Sequence, residues 1–158
     1  MGIRFTFAII TLMVLIALSG CGPDFNTDFD PPPTDAKLTD VFPDEIGGMK
    51  GIITKAKLIS PAVGFSSNYG EGKIVISAIQ TASKAAADKY FEIAMVPNFD
   101  KMENHFRGNI NGNWRASGTD EKGRKWYCWV NNNWVFLING SDTKYFKMAI
   151  DAFEYVEE

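Results

Sequence analysis

The stretch Lys125–Asn139, which reads KWYCWVNNNWVFLIN, decides the fold of this 158-residue chain. Aromatic and β-branched residues, which favour strands, fill both of its ends, and three asparagines separate the two ends. Asparagine tolerates a positive φ better than most residues, so the Asn131–Asn133 run suits a tight turn. The stretch therefore predicts two antiparallel strands, Arg124–Val130 and Trp134–Asn139, joined by that turn.

The same stretch belongs to a strip of aromatic residues that has two interpretations. Successive side chains of a strand point to opposite faces, so Tyr127 and Trp129 share one face and Cys128 lies on the other. The stronger interpretation is structural, because tryptophan is a large core filler in a small domain. The second interpretation is an exposed face that binds a ligand or partner, with the candidate residues Trp114, Tyr127, Trp129 and Trp134.

The first half of the remaining chain predicts a meander of strands followed by a helix. Alternation of apolar and polar residues predicts strands over residues 52–59 and 63–69, and a β-rich run predicts a central strand over 73–79. Ser83 is a suitable N-cap for the helix that follows, and Pro97 is predicted to end it.

The second half repeats this order. The Asn111-Gly112 pair is typical of a two-residue hairpin, here between the strands Phe106–Ile110 and Asn113–Ser117. After the two strands of the opening stretch, Ser141 or Asp142 is expected to cap a last amphipathic helix.

These elements predict an α+β fold, with an antiparallel sheet of six or seven strands and two helices, most simply on one face. Residues Lys89–Ala94 (KYFEIA) and Lys144–Ala149 (KYFKMA) are identical at four of six positions, and each run follows a turn and a strand. A duplicated β-meander–helix unit would explain both the order and this similarity. A chance match between two amphipathic helices is the alternative.

The first twenty residues have the layout of a secretory signal. Arg4 supplies a positive charge, Phe5–Leu18 is apolar apart from two threonines, and small residues follow. A membrane-spanning helix needs roughly 20 apolar residues, which is longer than this run. A permanent transmembrane anchor is therefore the weaker interpretation.

The segment Leu18-Ser19-Gly20-Cys21 resembles the lipobox of bacterial membrane lipoproteins: Leu, a small residue, Gly or Ala, then Cys. The resemblance implies removal of residues 1–20, attachment of diacylglycerol to the Cys21 sulfur and acylation of the new amine, with palmitate as one such chain. It places the protein in the cell membrane or outer membrane, facing outside the cytoplasm. An ordinary cleaved signal with a chance cysteine and the loose N-myristoylation pattern of Met1-Gly2 are the alternatives.

The mature chain is predicted to have a tether and one domain. Residues 21–45 begin with the lipidated cysteine and are acidic and rich in proline, a composition that favours an extended, solvated segment. From about Leu38, apolar residues predict that part of the tether packs on the domain. Residues 46–158 form the single α+β domain, and from Met49 onward its 14 basic and 12 acidic residues nearly balance.

The residues that could take part in catalysis or metal binding have simpler structural explanations. His105 is the only histidine, lies at a predicted loop-to-strand junction and is not accompanied by a Gly-x-Ser-x-Gly elbow. Cys128 lies between aromatic residues in a predicted central strand, and Asp120 and Glu121 lie beside basic residues in a predicted exposed turn. We therefore predict no catalytic residue, no metal site and no cofactor. The net charge of −3 also argues against a nucleic-acid partner.

The function that these patterns predict is that of a membrane-anchored extracytoplasmic lipoprotein. Its domain would be a non-enzymatic binding or assembly module for a protein partner in the cell envelope, and anchoring would raise its effective concentration for neighbouring molecules. A lipoprotein that binds a glycan or small ligand through the aromatic strip is the first alternative. A hydrolase with an unrecognised site is the second.

Overall fold

The computed structural model describes residues 25–33, 35–58 and 62–158, so the predicted signal and Cys21 lie outside the described residues. The described part of the chain forms one antiparallel sheet of eight strands, which confirms the α+β class. The strands are β1 (Glu45–Ile46), β2 (Met49–Lys55), β3 (Val63–Tyr69), β4 (Ile74–Gln80), β5 (Glu103–Ile110), β6 (Asn113–Thr119), β7 (Lys125–Asn131) and β8 (Trp134–Gly140). Their order is β1-β2-β3-β4-β8-β7-β6-β5, so two meanders meet at the β4–β8 pair.

The eighth strand is β1, which the prediction of six or seven strands did not include. It pairs with β2 around Gly47 and Gly48, which have φ values of 55° and 80°. Two residues are too few to show alternation, so the hydrophobic pattern carries no signal for such a strand. The predicted hairpin is present: Asn111 and Gly112 have φ values of 52° and 82°, as a type I′ turn requires.

The helices begin at the predicted caps. The Ser83 hydroxyl oxygen accepts a hydrogen bond from the Ala86 N–H, and Asp142 accepts one from the Tyr145 N–H. None of the helices in the described ranges is long and apolar enough to cross a membrane. The helical elements are α1 (Lys84–Tyr90), a π-helical segment (Phe91–Met95), α2 (Val96–Phe99) and α3 (Thr143–Ala152). The first three are continuous and form the first helical region, and α3 is the second.

The two helical regions cover opposite faces of the sheet, so the expectation of both helices on one face is wrong. Residues of α3 pack in the same core cluster as Tyr127 and Trp129. Residues of α1 and the π-helical segment pack in a second cluster, which contains Cys128 and Val130. Neighbouring residues of one strand point to opposite faces, so these clusters lie on opposite sides of β7. Both faces of β7 are apolar, and each face needs its own cover.

Pro97 does not end the first helical region, which continues to Phe99. Proline lacks an N–H and its ring clashes with the carbonyl four residues earlier, which usually breaks an α-helix. Here the five residues before α2 widen into a π-helix, and the Val96 N–H donates to the Phe91 carbonyl. The wider turn accommodates Pro97 inside the helix.

The order of a meander followed by a helix occurs twice, as the duplication hypothesis requires. A two-fold axis between the antiparallel strands β4 and β8 would place both helices on the same face of the sheet. The helices lie on opposite faces, so no such axis relates the two units. The duplication therefore stays a prediction without support from symmetry.

The segment 25–33, which the sequence assigned to the tether, packs along the α3 face of the sheet. Phe25 is 8% exposed, and its ring meets the Tyr127 ring edge-on at a centroid distance of 4.9 Å. The buried Arg115 guanidinium donates from Nη1 to the Phe25 carbonyl at 2.8 Å. The Asn131 side chain donates to the Phe29 carbonyl at 2.7 Å. The folded unit therefore extends back at least to residue 25.

Residues further along the predicted tether also belong to this unit. A 3-10 helix, Leu38–Val41, begins where the sequence predicted contact with the domain. Val41 and Phe42 are buried in the core cluster of the α3 face. The Tyr69 hydroxyl donates to the Pro43 carbonyl at 2.6 Å, which ties this segment to β3.

The Phe25→Ala variant tests whether the N-terminal segment is part of the fold. Removal of a buried aromatic ring costs about 3–5 kcal/mol, so the free energy of unfolding should fall by that order. Urea unfolding followed by tryptophan fluorescence measures it. Asp30→Ala, at an exposed position of the same segment, should change stability by less than about 0.5 kcal/mol. Equal stabilities for the two variants would show that the segment is a free tether.

Candidate functional site

The aromatic strip is mostly core. Tyr127, Trp129 and Trp134 are each 1% exposed or less and lie in the α3-face cluster. Trp114 is half-buried on the opposite face. Of the four candidate binding residues, Trp114 is therefore the one that a partner can reach without unfolding the domain.

Trp114 lines an open groove of about 770 Å³ between the first helical region and the β5–β6 hairpin. The groove has an apolar floor and a charged rim. The Ile93 side chain is 49% exposed beside it, although it is aliphatic. The described residues that line the groove are Ala85, Asp88, Lys89, Phe91, Glu92, Ile93, Val96, Arg107 and Trp114.

The position of Trp114 depends on the π-helical segment. Its ring stacks on the Phe91 ring at a centroid distance of 6.1 Å and an interplanar angle of 19°. Phe91 is 1% exposed, so the tryptophan packs against a ring that the core holds in place. In the same turn, Glu92 and Ile93 are exposed. Single π-helical turns inside α-helices are frequent at functional sites, which fits this position.

The charges around the groove are mixed and partly paired. Lys84 donates to the Asp88 carboxylate at 2.9 Å, one helical turn away. Arg107 lies 3.6 Å from Asp100, and both side chains are nearly half exposed. Exposed ion pairs of this kind contribute about 0–1 kcal/mol, so a partner can displace them at little cost.

The strand beside the groove has a free edge. β5 is the last strand of the sheet, and among the described residues it pairs with β6 alone. The residues that flank a two-residue hairpin exchange both hydrogen bonds, and hydrogen-bonded pairs then alternate along the strands. Because Ile110 pairs with Asn113, the backbone groups of Arg107 and Asn109 point away from β6. An incoming strand would meet these groups directly beside the groove.

The other candidate groups have structural surroundings. His105 is exposed on β5, and its Nδ1 lies 2.8 Å from the Met102 carbonyl oxygen. Cys128 is fully buried, and burial raises the pKa of its thiol, so it stays protonated and inert. No group of three or more His, Cys, Asp or Glu side chains that could hold a metal is found in the described ranges.

Asp120 holds the β6–β7 turn together. Its carboxylate accepts hydrogen bonds from the Lys122 N–H at 2.9 Å, the Arg124 N–H at 3.0 Å and the Trp126 indole N–H at 3.0 Å. Partial burial opposes ionisation, but these donors and the Arg124 charge hold the pKa of Asp120 below its usual value. The carboxylate therefore has a structural role in the turn.

The sequence pattern did not indicate which residues form the helical side of the groove. Asp88, Glu92 and Ile93 lie on an amphipathic helix whose exposed face looks like any solvated surface. Arg107 comes from a strand that begins beyond the end of that helix. A groove between distant segments appears only when the sheet order is known. Ile93 is 49% exposed in the structure, but from the sequence it fits the apolar side of the helix, so it gave no signal.

The depressed pKa of Asp120 predicts a pH dependence of stability. A carboxyl group with a lowered pKa in the folded state stabilises the fold above its unfolded pKa, about 3.9, and this stabilisation is lost as pH falls through the folded value. Asp120→Asn should cost about 1 kcal/mol at pH 7, a value reduced for solvent screening, and should flatten the loss of stability below about pH 4. Urea unfolding at pH 7, 5, 4 and 3 measures both effects. An unchanged pH profile would contradict this role, and Glu121→Gln in the same turn is the control.

Comparison of the chain with protein-family models, with curated proteins and with solved structures found no match. The proposal of function therefore depends on the motifs of the sequence and on the geometry of the Trp114 groove.

Proposed function

We propose that this chain is a lipid-anchored extracytoplasmic binding module whose Trp114 groove receives an extended segment of an envelope protein. The lipobox residues Leu18–Cys21 support the anchor. The observation that carries the binding function is an accessible tryptophan in a groove directly beside an unpaired strand edge. The proposal assigns no catalytic role to the domain.

Addition of a strand to β5 is the binding mode that fits this geometry. An extended peptide forms backbone hydrogen bonds with a free edge, and its alternate side chains enter the adjoining pocket. Arg107 and Asn109 supply the outward backbone groups. Trp114, Ile93 and Val96 supply apolar surface for one or two large side chains of the peptide.

The groove favours a peptide over a glycan. Sugar rings stack on exposed aromatic faces, and Asn109 lies opposite Trp114 in the β5–β6 register, where its amide could bind a hydroxyl. Phe91, the other aromatic residue that lines the groove, is buried, so Trp114 is the one ring of the described lining on which a sugar could stack. The rest of the floor is aliphatic, which suits leucine-like or aromatic side chains. Glycan binding remains an outcome that the following experiment separates.

A photo-crosslinking amino acid in place of Asn109, introduced in intact cells, tests the groove. We expect one dominant protein adduct, because position 109 is exposed on the edge that receives the partner. Trp114→Ala should lower the adduct yield at least tenfold, as expected for an aromatic anchor worth about 2 kcal/mol. Identification of the adduct by mass spectrometry names the partner.

The matched control is Ile52→Ala, which removes an exposed apolar side chain on β2, toward the opposite edge of the sheet from the groove. Its adduct yield should stay within twofold of that of the parent protein. Equal yields for Trp114→Ala and the parent would disprove the groove as a protein site. Retention of the protein on purified cell-wall glycan, lost in Trp114→Ala and without a protein adduct, would establish the glycan alternative.

The Cys21→Ala variant tests the anchor separately. Without the thiol no thioether can form, so the variant should leave the membrane fraction or accumulate as an uncleaved precursor that contains residues 1–20. Cell fractionation and the intact mass of the purified protein measure this. Unchanged fractionation and mass would rule out lipid attachment at Cys21. The buried Cys128→Ala is the control that should fractionate like the parent protein.

A further inference from the structure

We propose that the end of the domain at which residue 25 enters lies against the lipid surface, with the Trp114 groove on the opposite face of the sheet from the entering segment and open to the aqueous compartment. This orientation rests on the lipid anchoring proposed above. In this orientation the domain is joined to the membrane by a short connection, whereas a long stalk would let it move freely.

The length of chain between the anchor and the fold sets the geometry. Phe25 is buried and hydrogen-bonded to Arg115, so the folded unit holds this residue in place. Four residue steps separate Cys21 from Phe25, and fully extended chain spans at most about 14 Å over them. A tether that reached to residue 45 would span about 85 Å. Residue 25 therefore stays within about 14 Å of the lipidated cysteine.

The contacts of Phe25 show which end of the sheet the short connection keeps close to the lipidated cysteine. We call this end the basal end. Phe25 shares a cavity with Thr119 and Lys125, the last residue of β6 and the first of β7. Hydrogen bonds connect the turns there: Arg124 Nη2 donates to the Gly72 carbonyl at 2.7 Å, and the Ser141 N–H donates to the Lys73 carbonyl at 2.7 Å. The basal end thus comprises the turns 70–73, 120–124 and 140–143.

The chemistry of the basal end suits the boundary between lipid head groups and acyl chains. A cavity of about 420 Å³ opens there between Phe25, Phe146 and Trp126, with Lys125 and Lys147 at its rim. Phe25 and Phe146 are buried, and Trp126 is the half-buried ring of the three. A partly exposed tryptophan beside lysines, whose stems are apolar and whose ammonium groups reach phosphate, is typical of surfaces that contact membranes. The Lys147 ammonium pairs with Glu158, which also lines the cavity.

The groove lies away from this end. The segment that begins at Phe25 covers the α3 face of the sheet, whereas Trp114 belongs to the opposite face. Trp114 is five residues before Thr119 on β6, a separation of about 17 Å along the strand. The first helical region begins at Ser83, just beyond the distal end of β4. Contact at the basal end therefore leaves the groove open to the aqueous compartment.

Fluorescence quenching on reconstituted protein tests the orientation. The full-length lipidated protein is placed in vesicles of phosphatidylethanolamine and phosphatidylglycerol that contain a lipid with a nitroxide head group. A fluorophore is attached through Glu121→Cys in the basal turn 120–124, or through Ala82→Cys, two residues beyond the distal end of β4. From its basal to its distal end, β4 is about 20 Å long. The native thiols do not interfere, because Cys128 is buried and the Cys21 sulfur carries lipid. Quenching at position 121 should exceed quenching at position 82 by at least threefold.

A spacer variant supplies the matched control. Twelve Gly and Ser residues inserted between Asp24 and Phe25 extend the maximum reach to about 56 Å, so quenching at position 121 should fall toward that at position 82. Equal quenching at the two positions in the native-length protein, or a spacer without effect, would overturn the orientation while the anchor stands. A mass spectrum that shows no lipid on Cys21 would overturn the anchor and the orientation together.

Discussion

The apolar character of both faces of β7 and β8 is the constraint on which the rest of the structure depends. Trp129 and Phe136 need cover on one face, and Cys128 and Val135 need it on the other. Burial of apolar surface gives about 25 cal/mol per Å², so neither face can remain in water without a large loss of stability. The two helical regions therefore separate to opposite faces. The N-terminal segment completes the cover of the α3 face at β6 and β7, where it contacts Arg115 and Tyr127.

The local sequence predicted the elements well because their signals are local. The Asn111-Gly112 turn, the Ser83 and Asp142 caps and the strands around Asn131–Asn133 each follow from a few adjacent residues. The failures came from features that the hydrophobic pattern and the usual residue preferences do not encode. The two-residue β1 exists because β2 offers it an edge, and Pro97 remains helical because the π-helical segment makes room for it. An acidic, proline-rich segment looked solvated because Phe25 and Arg115 are 90 residues apart.

Three of the four candidate binding residues are core residues. The aromatic strip allowed two interpretations from the sequence, and burial assigns Tyr127, Trp129 and Trp134 to the core. Trp114 differs from them because β6 is next to the edge strand, and its ring stays half-buried against Phe91. Strand order made this difference, and one sequence carries little information on strand order. The proposed binding site lies at this position, next to the edge of the sheet.

The packed N-terminal segment has a consequence for the order of folding. Its partners Arg115, Asn131 and Glu157 all belong to the second half of the chain, and the Phe29–Asn131 contact spans 102 residues. Long loops are costly to close, so this segment docks only after the sheet that receives it has formed.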